Sequence, residues 1–261
     1  MIQAKIVLNI LIILFTKTIF YDSLSIKDGK CLMEKKSLKV RIIDTALVLF
    51  EKEGYHGVTV DRIVEQCGTS KGGFYHNFKS KDELLFHIHD IFISYVIEKA
   101  QEAYDQYETP VSRICAIIQS FTKVFGMYKR HITVFYQEST YLKGEFEVNI
   151  NRKRKQYKEI ILKILREGQA SGDFRTEVPP EIAVMAVIGM INWLYKWFHE
   201  DGPLSIEEIG IIYLDFILHS LLTEKGMTDP VAQDHLLRNL LDNRPEKKEN
   251  AKGISSTIKT D

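Results

Sequence analysis

The chain has 261 residues, 45% of them hydrophobic, and its 35 basic residues are balanced by 35 acidic ones. This length allows one small domain and one larger domain, each with an apolar core. A formal net charge of zero excludes whole-chain electrostatic attraction to nucleic acid, so any DNA contact has to come from a local basic patch. The three widely spaced cysteines, Cys31, Cys67 and Cys115, fit neither a disulfide framework nor a zinc site and predict a cytoplasmic protein.

The first 32 residues carry a weak targeting pattern. Lys5 precedes an apolar run from Ile6 to Phe15, but no small-residue cleavage site follows the run. The run is also shorter than the roughly 20 apolar residues that span a membrane. Met33 opens a polar lead-in to the first periodic helix, as a start codon would. We therefore expect residues 1–32 to be a mis-assigned start or an N-terminal extension without stable membrane association. A membrane-tethered sensor is the alternative.

Beyond Met33 the apolar residues recur at helical spacing, and we find no convincing strand pair there. Capping patterns open three helices, at Ser80, at Thr109 and at Ser205. After Gly226 the composition turns polar. The fold class predicted is all-α, with an N-terminal three-helix helix-turn-helix domain and a C-terminal helical ligand-binding and dimerisation domain. The expected boundaries are 33–83 for the first domain, 84–225 for the second, and 226–261 for a polar, disordered tail.

Residues 58–81 are the most informative part of the chain. They read as a helix, a three-residue turn from Gly68 to Ser70, and a second short helix. Glycine in such a turn lets two helices meet at a steep angle, so that the second can enter the major groove of DNA. The adjacent Gly72 and Gly73 weaken the second helix, which indicates that a partner approaches its backbone closely. The pattern predicts a DNA-binding helix-turn-helix.

The polar side chains of this segment suit a groove lined by phosphates. Backbone N–H groups at the helix start near Thr59 add an anion site. Phe74 and Phe78, four residues apart, are expected to hold the second helix on its own core. A solvated helix face is the alternative for the polar residues taken alone. The hydrogen-bond donors are Lys71, Tyr75, His76, Asn77, Lys79 and Lys81.

The order of residues in this region resembles the N-terminal domain of TetR-type repressors. That family consists of ligand-responsive regulators of transcription, so the resemblance implies a DNA operator as partner. The matching residues are Phe50, Gly54, Tyr55, Thr59, Ile63, Gly68, Ser70, Lys71, Gly72, Tyr75, Phe78, Lys79, Ser80, Lys81, Leu84 and Leu85.

The resemblance also implies roles for individual residues. The segment matching Thr69 to Phe78 lies in the major groove in that family, and its base contacts fall on Thr69, Lys71 and Gly73. Asn77 stands where an aromatic residue or histidine is common, which leaves the operator sequence open. Phosphate contacts are implied for Thr59, Tyr75, His76 and Lys81. The whole expected set is Thr59, Thr69, Ser70, Lys71, Gly72, Gly73, Tyr75, His76, Asn77 and Lys81.

The region after Phe86 has to be interpreted mainly from residue chemistry. Phe121, Phe125, Phe135 and Tyr136 are candidate walls of a ligand pocket, and ordinary core packing is the alternative. The run from Asn151 to Tyr157 concentrates cations at what reads as a helix start, where negative charge is preferred. An anionic ligand would offset this unfavourable positive charge, and a solvated helix face is the alternative interpretation.

Two members of the cationic run, Arg152 and Arg154, are the candidate ligands for such an anion. The stretch containing Asn192, Trp193 and Trp197 resembles a pattern in TetR-type regulators that sense CoA thioesters. An acyl-CoA effector is therefore the expectation, and a hydrophobic drug or another apolar metabolite is the alternative. For the tryptophans, dimer-interface packing is the alternative to ligand contact.

The helices predicted at 180–199 and 205–222 are apolar on more than one side, which indicates broad burial. The family resemblance implies that they form the interface of a homodimer, which would bind a two-fold-related operator. Nothing suggests an enzyme, since no phosphate loop, nucleophile elbow or HExxH pair is present. We expect no cofactor and no metal. His87, His89 and Asp90 are the only cluster in the sequence that suggests a metal site. We interpret them as solvated or capping side chains.

Overall fold

The computed structural model describes residues 25–27, 30–32 and 36–237. Strand β1 (Ser25–Lys27) pairs antiparallel with β2 (Lys30–Leu32). The predicted targeting pattern at Lys5 lies outside the described residues. Between residues 36 and 237 the structure is helical, with a 3-10 turn at Ser139–Tyr141. The helices are α1 (Leu38–Gly57), α2 (Val60–Cys67), α3 (Lys71–Asn77), α4 (Lys81–Gln106), α5 (Pro110–Gln137), α6 (Gly144–Ser171), α7 (Pro180–Asn192), α8 (Leu194–Trp197), α9 (Ile206–Leu221), α10 (Glu224–Met227) and α11 (Pro230–His235).

Two compact units divide the chain. Of the described residues, unit 1 contains those up to Ile97 together with Met127–Gln156, and unit 2 contains Glu98–Gly126 and those from Tyr157 to residue 237. Helices α4, α5 and α6 each contribute one part to each unit. The helix-turn-helix segment therefore shares its unit with the first part of α4 and the last part of α5, although the sequence placed a boundary at 83/84.

The predicted punctuation of the helices is confirmed at most positions. Ser205 and Glu208 form a complete capping box at the start of α9. At Ser80 only half of the predicted box forms. The Ser80 hydroxyl accepts from the Glu83 N–H at 3.0 Å, but the Glu83 carboxylate accepts from the backbone of Lys79 instead of Ser80. Either arrangement satisfies N–H groups that a helix start leaves without intrahelical partners.

The core of unit 1 follows the apolar stripe of α1. Ile43, Leu47 and Phe50 are buried as the spacing predicts, and Phe74 and Phe78 are buried beneath α3. Each such side chain contributes roughly 1.5–3 kcal/mol when it leaves water. This burial anchors the short helix α3 and confirms that Phe74, within it, and Phe78, just after it, face the core.

Three expectations about local structure are wrong. The cationic run does not open a helix, because α6 starts at Gly144 and carries Glu145 and Glu147 in its first turn. The polar tail does not begin at 226, because α11 follows and Ala232 is fully buried. His89 is not solvated either. It is completely buried, and its Nδ1 lies 2.9 Å from the Leu85 carbonyl oxygen.

Within residues 36–237 no helix is long and apolar enough to cross a membrane. The same part of the chain contains no group of three side chains arranged to hold a metal ion.

Candidate DNA-binding and ligand-binding sites

A tight turn joins α2 to α3. Gly68 adopts a left-handed conformation with φ of 65°, which glycine tolerates without steric cost. Its N–H donates to the Glu65 carbonyl at 3.2 Å, and the Thr69 N–H donates to the Val64 carbonyl at 2.9 Å. This pair of bonds is a Schellman motif, which ends α2 sharply. Ser70 then starts α3 by accepting a hydrogen bond from the Gly73 N–H at 3.1 Å. The predicted helix, turn and helix are therefore present.

Helix α3 has a buried side and an exposed side. Phe74 is fully buried, whereas Tyr75 is 53% exposed and His76 is exposed. Lys71 and Gly72 at the start of the helix are exposed as well. The core thus fixes α3 through its phenylalanines and leaves a continuous polar surface facing solvent.

The two glycines of α3 have different surroundings. A Cβ added at Gly73 would lie 2.6 Å from Thr69 Oγ1 and 3.2 Å from Leu38 Cδ2. A Cβ at Gly72 would meet nothing closer than the Ser70 hydroxyl, at 3.7 Å. Packing inside the protein therefore explains Gly73 but does not explain Gly72. The open backbone at Gly72 is free for the close approach of another molecule.

The segment that contains α3 carries a local excess of positive charge. Between Gly68 and Lys81 the chain carries three lysines and no acidic residue. One of them, Lys71, forms an exposed ion pair with Asp61 of α2, with 2.8 Å between Nζ and Oδ1. The hydrogen bond to Asp61 raises the pKa of the Lys71 ammonium. A phosphate that binds Lys71 therefore has to compete with this carboxylate.

Three predicted polar contacts are engaged within the protein. The Thr59 hydroxyl accepts from the Arg62 N–H at 3.2 Å, and Ser70 caps α3 in the same way. Each hydroxyl keeps its own O–H available for donation. Asn77 differs, because its amide donates back to the Gly73 carbonyl at 2.8 Å.

Lys81 is engaged more fully than the resemblance implied. Its ammonium donates to the Tyr55 carbonyl at 2.8 Å and to the Val58 carbonyl at 2.7 Å. It also lies over the Tyr55 ring, 4.1 Å from the ring centroid. Burial lowers the pKa of this ammonium. The phosphate contact implied for Lys81 rests on the family resemblance alone, and these bonds compete with it.

The ligand residues expected in unit 1 behave differently from one another. The Arg154 guanidinium is half-buried and lies 4.6 Å from the centroid of the Phe135 ring, on which Tyr136 packs edge-on. Its nearest polar partner is the Asn151 side chain at 3.5 Å, and no carboxylate of the described residues pairs with it. Burial lowers its pKa. Arg152 is exposed, and its guanidinium donates to the Asn149 side chain at 2.9 Å. The two arginines therefore occupy different environments.

The remaining ligand residues belong to unit 2. Phe121 and Phe125 are buried in its core, where Phe125 meets Phe198 edge-on. Asn192 ends α7 and is half-buried, whereas Trp193 is 59% exposed. Core packing thus accounts for the two phenylalanines. The exposure of Trp193 suits a contact with another molecule.

Sequence reasoning missed two features of these sites. Asp61, which holds Lys71, lies ten positions before it, and no local pattern connects the two residues. Phe135 of α5 was a candidate pocket wall, but its contact with Arg154 depends on helix packing and was not foreseen. Neither signal is readable from spacing within a single helix.

Models of known protein families match most of the chain. Residues 42–88 match the family described as "Bacterial regulatory proteins, tetR family", and residues 107–221 match "Tetracyclin repressor-like, C-terminal domain". The HTH-type transcriptional repressor KstR2 of Mycolicibacterium smegmatis is 23% identical over 193 residues, which cover 73% of this chain and 93% of the relative.

Two solved structures have the same fold. PfmR, a TetR family transcriptional regulator from Thermus thermophilus, is 30% identical with a TM-score of 0.65, and the match covers 70% of this chain and all of PfmR. AibR, crystallised with isovaleryl coenzyme A and operator DNA, is 26% identical with a TM-score of 0.63, and the match covers 71% of this chain and 98% of AibR.

These matches confirm the predicted fold class and the resemblance in the helix-turn-helix. The relatives are regulators of transcription and not enzymes, as the sequence indicated. The chain therefore belongs to the TetR family of bacterial transcriptional regulators.

Proposed function

We propose that this repressor binds a two-fold-related operator as a homodimer and that an acyl-CoA thioester releases it. The exposed polar surface of α3, opposite the buried Phe74, is the observation that carries the DNA-binding part. In this proposal α3 enters the major groove, the open backbone at Gly72 allows close approach, and Lys71 and Tyr75 reach the DNA. The Thr59 and Ser70 hydroxyls donate to phosphates flanking the groove. Binding to chromosomal DNA makes the cytoplasm the site of action.

The homodimer is supported by apolar surface that unit 2 leaves exposed. Helices α7 and α9 pack on each other, and each buries one face, through residues such as Val187 and Leu214. Their other faces carry large exposed apolar side chains, which a monomer rarely groups in one area. A second copy of the chain would cover them by a two-fold interface. The exposed residues are Ile182, Met185 and Trp193 of α7 and its C-terminal end, and Ile211 and Phe216 of α9.

The acyl-CoA effector is supported by Arg154. A half-buried guanidinium without a carboxylate partner is costly, and an anionic ligand group offsets that cost. Aromatic rings beside it, those of Phe135 and Tyr136, offer apolar contact. AibR, which has the same fold, was crystallised with an acyl-CoA and with its operator. CoA carries both an anionic group and an apolar acyl chain, so it matches this combination.

Release requires that the effector favours an arrangement of the dimer with the wrong spacing of its two α3 helices. A coupling of about 1–3 kcal/mol between the sites changes operator affinity by about 5–150-fold. Charge and acyl chain should contribute separately, so CoA alone is expected to bind weakly without releasing DNA.

The different surroundings of the two glycines predict opposite outcomes for two alanine variants. Gly72→Ala should raise the free energy of unfolding by about 0.5–1 kcal/mol, because glycine weakens a helix, and should lower operator affinity about tenfold or more. Gly73→Ala should lower stability by about 1–3 kcal/mol through overpacking against Thr69 and Leu38. Thermal unfolding measures the stability of each variant. Operator affinity is measured with a duplex that the wild-type protein selects from a random library. Unchanged operator affinity in Gly72→Ala would contradict close approach at this backbone.

The Asp61 carboxylate is predicted to restrain DNA binding. Asp61→Asn should free Lys71 and raise affinity for any duplex by about two- to fivefold, with a steeper salt dependence. Glu53→Gln removes an exposed carboxylate of α1 and serves as the control for net charge. Fluorescence anisotropy titrations at salt concentrations from about 50 to about 200 mM measure the DNA affinity of both variants and its salt dependence. Equal effects of the two variants would show that Lys71 makes no specific contribution.

Phe216 tests the homodimer. Phe216→Glu should convert the protein to a monomer, because a buried, unpaired carboxylate is incompatible with an apolar interface. Operator affinity should fall by about 100-fold or more when the two half-sites are no longer bound together. Val148→Glu, at an exposed apolar residue of α6, should leave a dimer. Sedimentation velocity distinguishes the two states, and a dimeric Phe216→Glu protein would place the interface elsewhere.

Arg154 and Arg152 test the effector site as a matched pair. Operator-bound protein is titrated with acyl-CoAs of increasing chain length, with CoA, with free acids and with uncharged hydrophobic compounds. Thioesters should release the wild-type protein. Release of the Arg154→Ala variant from the operator should need at least about tenfold more thioester, because a partly buried charge contact is lost. Its operator affinity without effector should stay unchanged. Arg152→Ala should respond nearly as the wild type. Release by uncharged compounds alone would favour the drug-sensing alternative instead.

A further inference from the structure

Lys81 connects the two ends of the helix-turn-helix segment. Its carbonyl partners belong to Tyr55, in the last turn of α1, and to Val58, between α1 and α2, whereas Lys81 itself is the first residue of α4. The bond to Val58 spans 23 positions of the chain. Every residue of α2 and α3 lies inside the loop that this bond closes.

The partners of Lys81 are themselves fixed from several sides. Tyr55 is 4% exposed, its hydroxyl donates to the carboxylate of Asp82, and its ring stacks on Tyr141 at 5.6 Å between centroids. Gly54, with φ of 72°, breaks the helical conformation just before it. The Tyr55 carbonyl, in the last turn of α1, accepts from the Val58 N–H at 3.4 Å and also from the Lys81 ammonium, and the Val58 carbonyl just after α1 accepts from the same ammonium.

The ammonium has little capacity left for a phosphate. A lysine ammonium has three N–H groups, and two are donated to carbonyls while the group also lies over the Tyr55 ring. A phosphate contact would require Lys81 to give up bonds that hold the segment together. Lys79, two positions earlier, has an exposed side chain and faces no such competition.

We propose that Lys81 is a positioning residue, which holds the entrance of the α2–α3 segment against its exit and thereby sets the orientation of the recognition helix α3. It acts on DNA through Tyr55 and Val58 and does not contact phosphate. Specific binding requires α3 to be held in one orientation, because only the competent fraction of the protein binds the operator with full affinity. Non-specific binding depends on phosphate charge and tolerates varied orientations.

The test compares Lys81→Met with Lys79→Met in the full chain. Lys81→Met should lower the Tm by roughly 4–8 °C. At a temperature well below its Tm, it should lose about tenfold in affinity for the selected operator duplex. Its affinity for a random duplex and its salt slope should change no more than those of the Lys79→Met variant.

Two results of this comparison would overturn the proposal. An equal loss on both duplexes, with a salt slope reduced by about 0.9, would identify a phosphate contact. A lower Tm with unchanged operator affinity would show that Lys81 serves stability alone.

Amine acetylation of the wild-type protein tests the same point without a substitution. In the free protein Lys81 should react at least severalfold more slowly than Lys79, because partial burial and the bonds to two carbonyls keep the reagent from its nitrogen, and this outweighs the larger neutral fraction that its lowered pKa gives. Operator binding should protect Lys71 and Lys79 and leave Lys81 unchanged, as measured by mass spectrometry. Fast labelling of Lys81 that the operator suppresses would contradict the proposal.

Discussion

The DNA-binding surface depends on tertiary contacts that hold two short helices in place. Helices α2 and α3 have 8 and 7 residues, which is fewer than an isolated helix needs to be stable in water. Their apolar sides are buried through Ile63 and Phe74. Their ends are tied by hydrogen bonds from outside, from Arg41 to the Cys67 carbonyl at 2.6 Å and from Lys81 to the carbonyls before α2. Because these contacts supply the stability, the outer face of α3 stays exposed and is available for the DNA contact proposed above.

A similar division of labour occurs in the C-terminal part of the chain. Helices α7 and α9 use one apolar face for the core of unit 2, and the opposite face remains uncovered. In unit 1, the Arg154 guanidinium lies over the Phe135 ring, which supplies no counter-charge. Uncovered apolar surface and a half-buried cation both raise the free energy of the isolated subunit. Binding of a second subunit and of an anionic effector would lower it.

Local chemistry made the helix-turn-helix predictable from sequence. Thr59 and Ser70 cap helices because their hydroxyls accept from N–H groups three residues later, and Gly68 ends a helix because it tolerates a positive φ. Contacts distant in sequence were not predictable. No local pattern indicates the bond of Lys81 to the Val58 carbonyl, which lies 23 positions earlier in the chain. The cationic run around Arg154 was misread as a helix start because Glu145, in the true first turn, lay outside the run considered.

The central claim is that α3 and the first turn of α2 form the DNA-binding surface. Hydrogen–deuterium exchange of the full chain, with and without the selected operator duplex, tests it most directly. The account predicts new protection in peptides covering Thr59–Arg62 and Thr69–Asn77, and no such protection with a matched duplex at high salt. Operator-dependent protection confined to other segments, such as α6 or α9, would contradict it.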